Sequence, residues 1–147
     1  MAKQYHSEFY ELAKEAVTHP QESMVGVPQR NKSISIGVPK EVSFQENRIG
    51  LTPQAVNLLV NNGHEVTVET KAGDEAKFSD NEYSEAGAII AYDRQKVYES
   101  DIIIKVAFPT DEEIALMKVG QTLISALHLP LLKKSQVKQL MDKKVTA

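Results

Sequence analysis

The stretch SISIGVPKEVSFQENRIGLTPQAVNLLVNNGHEVTVET, residues 33–70, decides the fold class. Its opening, Ser33–Val38, is a short β run. Thr52-Pro53 then supplies a helix N-cap and a proline at the first helical position, where a missing N–H costs nothing. Val56, Leu59 and Val60 fall on one helical face, and Gly63 stands where a helix over residues 53–62 needs a left-handed stop. Glu65–Thr70 alternates as the next strand. A strand, a helix and a strand in this order form a crossover unit that joins parallel strands.

The same punctuation continues downstream. Ser79-x-x-Glu82 is a capping box that opens a short helix, Gly87 closes it, and Ala88–Ala91 is the following strand. Arg94–Glu99 forms a short helix, and Asp101–Val106 is an apolar run of the kind buried on both faces of a parallel sheet. Thr110-x-x-Glu113 is a second capping box, leading a helix through Ile114, Leu116 and Met117 to a stop at Gly120. Gln121–Leu127 is a further buried strand, Leu132–Lys143 a helix with a basic outer face, and Val145–Ala147 the start of one more strand. Strands and helices alternating at about 20–25-residue intervals predict an α/β domain with a doubly wound, mostly parallel sheet, flavodoxin-like or Rossmann-like. Upstream, Tyr5, Phe9, Leu12, Ala13, Ala16 and Val17 share one face of an amphipathic helix over residues 4–18. The predicted organisation is an N-terminal helix and linker over residues 1–33, then a globular domain over residues 34–147.

Composition narrows the chemistry. The 147 residues, 41% hydrophobic and 25% charged, suit one soluble core-forming domain. The absence of cysteine removes thiolate metal sites, thiol nucleophiles and disulfides. His6, His19, His64 and His128 form no H-E-x-x-H pair, which argues against a metal site. A net charge of −3 argues against nucleic acid and anionic membrane as partners. The acidic start and the lack of a long apolar run predict neither signal nor membrane span, hence a cytoplasmic chain. No two of the 7 glycines form G-x-G, so neither a dinucleotide fingerprint nor a P-loop is present.

In open α/β sheets ligands bind outside the carboxyl ends of the strands. The loop PKEVSFQENRIGL after the first strand carries Lys40, Glu41 and Arg48 and exceeds the usual βα length of about 2–6 residues. Lys105 lies near the end of the DIIIKV run, Ala107-Phe108-Pro109 follow it, and His128 follows QTLISAL. Topology draws Arg48, Lys105 and His128 toward one edge, a set that suits a small carboxylate or carbonyl substrate. Each has a plainer role. Arg48 either binds a ligand or pairs with Glu41 or Glu46 at the surface. Lys105 either forms a structural ion pair or takes part in chemistry, and His128 either holds a structural hydrogen bond or transfers a proton.

The segments IGVPKEVSFQENRIGLTPQAVNLLVNNGHEVTVETKAG, FSDNEYSEAGAII and SDIIIKVAFPTDEEIALMKVGQTLISALHLPL carry a resemblance. Through P-K-E, N-R-x-x-L-T-P, G-H-E-V, A-G-A and L-H-L, residues 34–147 resemble the N-terminal domain of alanine dehydrogenases and of the NAD(P) transhydrogenase alpha subunit. The resemblance implies the substrate side of an NAD-dependent oxidoreductase that converts L-alanine to pyruvate. It implies that NAD is bound by a later Rossmann domain absent from this chain, and that the chain is one part of a longer protein and inactive by itself. Arg48 then matches the arginine that grips the substrate carboxylate. His128 matches the histidine of substrate binding and proton transfer. Lys105 matches the first, structural lysine of the family's K-V-K-E-P motif and is the weaker substrate-binding candidate; Ala107 stands where the motif has its substrate-contacting lysine. A transhydrogenase alpha domain is the alternative, and a non-catalytic binding or assembly module a second one. The implied partners are an alanine- or pyruvate-like small molecule and, in the full-length protein, further copies in a homo-oligomer.

Overall fold

Ile36 and Val38 point one way from the first strand and Gly37 the other, and this alternation sets where the helices pack. The computed structural model describes residues 33–126 and 132–147, all within a unit spanning Lys32–Ala147. The helix expected over residues 4–18 and its linker fall outside the described residues, apart from Ser33. The elements run β1 (Ser35–Val38), α1 (Pro53–Asn61), β2 (Glu65–Glu69), a 3-10 turn (Asp74–Ala76), α2 (Asp80–Glu85) and β3 (Ile89–Ala91). They continue with α3 (Arg94–Val97), β4 (Ile102–Ile104), α4 (Asp111–Leu116), β5 (Thr122–Ile124) and α5 (Lys134–Asp142).

Every neighbouring pair in the sheet is parallel, in the order β3-β2-β1-β4-β5. This is the Rossmann order and not the flavodoxin one. The winding reverses between β1 and β4, so the switch point lies between the loops that leave those two strands. Beside β5 a sixth strand begins: Thr122 bridges Thr146 in parallel, and the Leu123 N–H donates to the Thr146 carbonyl at 2.7 Å.

Local signals act as read. Thr52 accepts from the Ala55 N–H with Pro53 in the first turn, Gly63 takes φ +86, and both capping boxes, Ser79 with Glu82 and Thr110 with Glu113, are closed. Helix α5 starts two residues later than its pattern, and two other helices stop short of theirs. Asp93 caps α3, which ends at Val97, because buried Tyr98 turns into the core. Helix α4 ends at Leu116 because Met117 adopts an extended backbone and buries its side chain. Gly120, at φ +77, therefore serves the turn into β5 and not the helix stop; its N–H donates to the Lys143 carbonyl.

Ile36, Val38, Val56, Val66, Val68 and Tyr83 fill the face beneath α1 and α2. Tyr98, Ile103, Ile114, Met117, Leu123 and Leu140 fill the other, beneath α4 and α5. Each such aliphatic or aromatic side chain contributes about 1.5–3 kcal/mol on burial. Among the described residues no helix is long and apolar enough to cross a membrane.

Gly37 lets α3 lie directly on β1. A Cβ there would press into the Val97 carbonyl oxygen and stand 2.9 Å from Ile103 Cδ1. Gly37→Ala is therefore expected to cost about 3 kcal/mol, the upper end of overpacking penalties, in urea unfolding; an unchanged midpoint would contradict this approach.

Candidate functional site

The loop over residues 39–52 leaves β1 and is fastened across the switch point to β4 at two places. Glu41 Oε1 accepts from the Val106 N–H at 2.6 Å. Farther along, the Gly50 backbone packs on Ile104; a Cβ at Gly50 would stand 2.9 Å from Ile104 Cγ2 and 3.1 Å from its carbonyl oxygen. The loop then joins the core through Ile49 and Leu51, and the Tyr83 hydroxyl donates to the Leu51 carbonyl at 2.7 Å. Burial pushes that hydroxyl up to about 12.

Between the two fastenings the chain turns at Ser43–Glu46, where the Glu46 N–H donates to the Ser43 carbonyl and Gln45 takes φ +59. Phe44 stands exposed at the tip. Arg48 is next, and of its two possible surface partners it takes Glu46. Its Nε donates to Oε1 at 2.8 Å and its Nη2 to Oε2 at 2.7 Å, a fork on one carboxylate. The Arg48 N–H adds a third bond to Oε1. These side-chain and backbone hydrogen bonds hold the Glu46 carboxyl down at about 2 and raise the guanidinium. The Arg48 side chain is 76% exposed.

Lys105 lies in the opposite setting. Its side chain is fully buried, and Nζ donates to Glu113 Oε1 at 2.6 Å and lies 3.6 Å from Glu41 Oε2. Glu113 spends its other oxygen on the Thr110 N–H at 2.8 Å, so one carboxylate both caps α4 and neutralises the lysine. The neighbouring Tyr98 hydroxyl is raised well above the usual phenol range by burial, with the Glu113 charge adding to it. Lys105 thus occupies the ion-pair position of its two readings, and of Arg48 and Lys105 only Arg48 is open to a ligand. Ala107 follows, half-buried. His128 lies outside the described residues.

A second clamp closes the turn directly after β1. Glu69, at the end of β2, accepts from the Lys40 N–H at 2.8 Å and from Arg94 Nε at 3.1 Å, with Arg94 Nη2 3.1 Å from Oε1 in an ion pair. Sequence reasoning passed over Glu69, the lysine-neutralising role of Glu113, and Gly50. One signal was available: a lysine in an apolar strand needs a carboxylate, and Glu41 and Glu113 stand in the segments that the topology brings there. Among the described residues no group of His, Asp and Glu could hold a metal. A cleft of about 390 Å³ opens at the amino ends of β4 and β5, between Ile34, Asp101, Lys118 and Thr122, far from the candidate residues along the strands.

Two outcomes test this geometry. Lys105→Met strands two buried carboxylates and is expected to cost about 3–5 kcal/mol in chemical denaturation; full retention of stability would contradict the pairing. Glu46 has a depressed folded-state value, so its contribution is present above the usual 4.5 and is lost as pH falls through about 2. An NMR titration should find that low midpoint and see it return to the ordinary range in Arg48→Gln.

Comparison with known proteins places the chain. Residues 37–147 match the family model described as "Alanine dehydrogenase/PNT, N-terminal domain". Over 112 residues the chain is 43% identical to alanine dehydrogenase 2 of Staphylococcus aureus, covering 76% of this chain and 30% of that protein. Among solved structures it resembles an L-alanine dehydrogenase at 38% identity and a TM-score of 0.73, covering 76% of this chain and 31% of the other. It resembles a transhydrogenase from Sinorhizobium meliloti at 25% identity and a TM-score of 0.69, covering 76% and 33%. The chain spans about a third of the length of these relatives, and on the match over residues 37–147 it belongs to the family of alanine dehydrogenase/PNT N-terminal domains.

Proposed function

We propose that this chain is the substrate-side domain of an NAD-dependent oxidoreductase that interconverts L-alanine and pyruvate: L-alanine, NAD⁺ and water give pyruvate, ammonium, NADH and a proton. The observation that carries the reading is the 43% identity over 112 residues with a protein named alanine dehydrogenase 2. The geometry agrees with it. Arg48 sits on a loop held at the switch point, where open α/β sheets take their ligands, and its planar fork suits a carboxylate. Glu46 already occupies that fork, so a substrate carboxylate binds by exchanging with the Glu46 carboxylate, one anion for another. His128, with an imidazole suited to proton exchange near neutral pH, is assigned the proton at the carbon that bears the amine or carbonyl.

NAD, when bound, supplies the hydride acceptor. The residues after β1 do not fit its pyrophosphate: they read Pro39-Lys40-Glu41 with no glycine, the Lys40 N–H is spent on Glu69, and the Glu41 carboxylate lies against Val106. We assign NAD to a further domain of a longer, homo-oligomeric protein. A transhydrogenase alpha domain is the second reading, favoured by Ala107 and by the likeness to the Sinorhizobium meliloti transhydrogenase.

Kinetics on the longer protein separate the two. With ammonium and NADH, pyruvate reduction is expected in the parent, and Arg48→Gln should lower kcat/KM by about 100-fold, chiefly through KM. A parent that ignores pyruvate but passes hydride from NADH to NADP would overturn the first reading in favour of the second.

A further inference from the structure

Glu41 touches no proposed substrate group, yet its side chain is buried and bonded at the base of the loop that carries Arg48. Its side chain is 5% exposed. One oxygen is bonded to the Val106 N–H at 2.6 Å; the other is buried without a hydrogen bond and faces the Lys105 ammonium at 3.6 Å. A carboxylate removed from water in this way costs free energy unless its site repays it. The repayment is local: Val106 has left the regular β4 ladder and its N–H needs an acceptor, and among the described residues Glu113 is the one other carboxylate paired with Lys105.

We propose that Glu41 is a positioning residue: its carboxylate fastens the Arg48-bearing loop to the carboxyl end of β4 and so fixes where Arg48 meets a substrate carboxylate. The inference rests on the reading of Arg48 given above. The loop has two fastenings to β4, Glu41 on Val106 before the turn and Gly50 on Ile104 after it. Arg48 lies between them. Releasing the first moves the near anchor of the 42–48 segment off β4 and back to the Lys40 N–H bond with Glu69, and the wider spread of Arg48 positions must then be ordered at the moment of binding, which lowers affinity. The charge of Glu41 also reaches Arg48 and adds to the pull of Glu46. Glutamine at this position keeps an oxygen for the Val106 N–H but turns an amide toward Lys105, so it preserves the strap and loses the charge. Alanine loses both, and aspartate is one methylene too short to span the distance.

The test measures amide exchange on the 147-residue chain and pyruvate binding on the longer protein. In Glu41→Ala, exchange at Val106 and Arg48 should quicken at least about 10-fold while Val66 and Val68 in β2 keep their protection. Glu41→Gln should restore most of it. If Glu41→Ala does not fold, Glu41→Asp carries the same comparison. In a pyruvate titration Glu41→Ala should weaken binding by about 10-fold, Glu41→Gln should recover it, and Arg48→Gln should abolish it. Unchanged exchange at Arg48 in Glu41→Ala, or equal pyruvate affinity in wild type and Glu41→Ala, overturns the positioning role. A wild-type longer protein that takes no pyruvate defeats the substrate reading instead, and exchange at Arg48 still decides whether Glu41 holds the loop.

Discussion

A lysine ammonium buried in a parallel sheet dictates what surrounds it. Lys105 closes the β4 run with a fully buried side chain, and the sheet tolerates it because carboxylates arrive from two other segments. Glu113 comes from the first turn of α4 and Glu41 from the loop after β1. Such a cluster adds little net stability over an apolar replacement. What it adds is position: α4 starts where Glu113 can both cap it and meet the lysine, and the β1 loop crosses to β4 where Glu41 can reach Val106 and Lys105.

The sheet has the strand order of a dinucleotide-binding fold without its cradle. In that fold the switch point is kept open by a glycine-rich turn, and an acid near the end of the second strand is kept for a ribose. Here the turn is Pro39-Lys40-Glu41, and the acid in the comparable place, Glu69, is spent on Arg94 and on the Lys40 N–H. The crevice is filled from within. What remains at this edge is a small, guanidinium-bearing loop, suited to a carboxylate of a few atoms and not to a dinucleotide. Fold order alone would have suggested a cofactor domain; the side chains at this edge favour the proposed substrate side instead.

Features governed by neighbours in sequence were legible before the structure. Thr52-Pro53, Gly63 and the two capping boxes act within a turn of their own helix, so residue identity determines them. The length of the 39–51 loop drew attention to Arg48, which the structure leaves exposed and paired with Glu46. Strand order, and so the choice between Rossmann and flavodoxin winding, depends on which strands pair and leaves no local mark. The same holds for helix ends at Val97 and Leu116, which are set by Tyr98 and Met117 turning into a core assembled from distant segments. Glu113 was visible as a cap and not as the partner of Lys105, and Gly50 gave no sign of its contact with Ile104, because both facts concern residues brought together only by the closed sheet.

In the proposed function, a loop pinned at the switch point presents Arg48 to a substrate carboxylate. A crystal structure of the longer protein with pyruvate tests this most directly. The pyruvate carboxylate is expected in the Arg48 fork in place of Glu46, with Glu41 still bonded to Val106. Pyruvate bound elsewhere, with Arg48 still forked on Glu46, would contradict it.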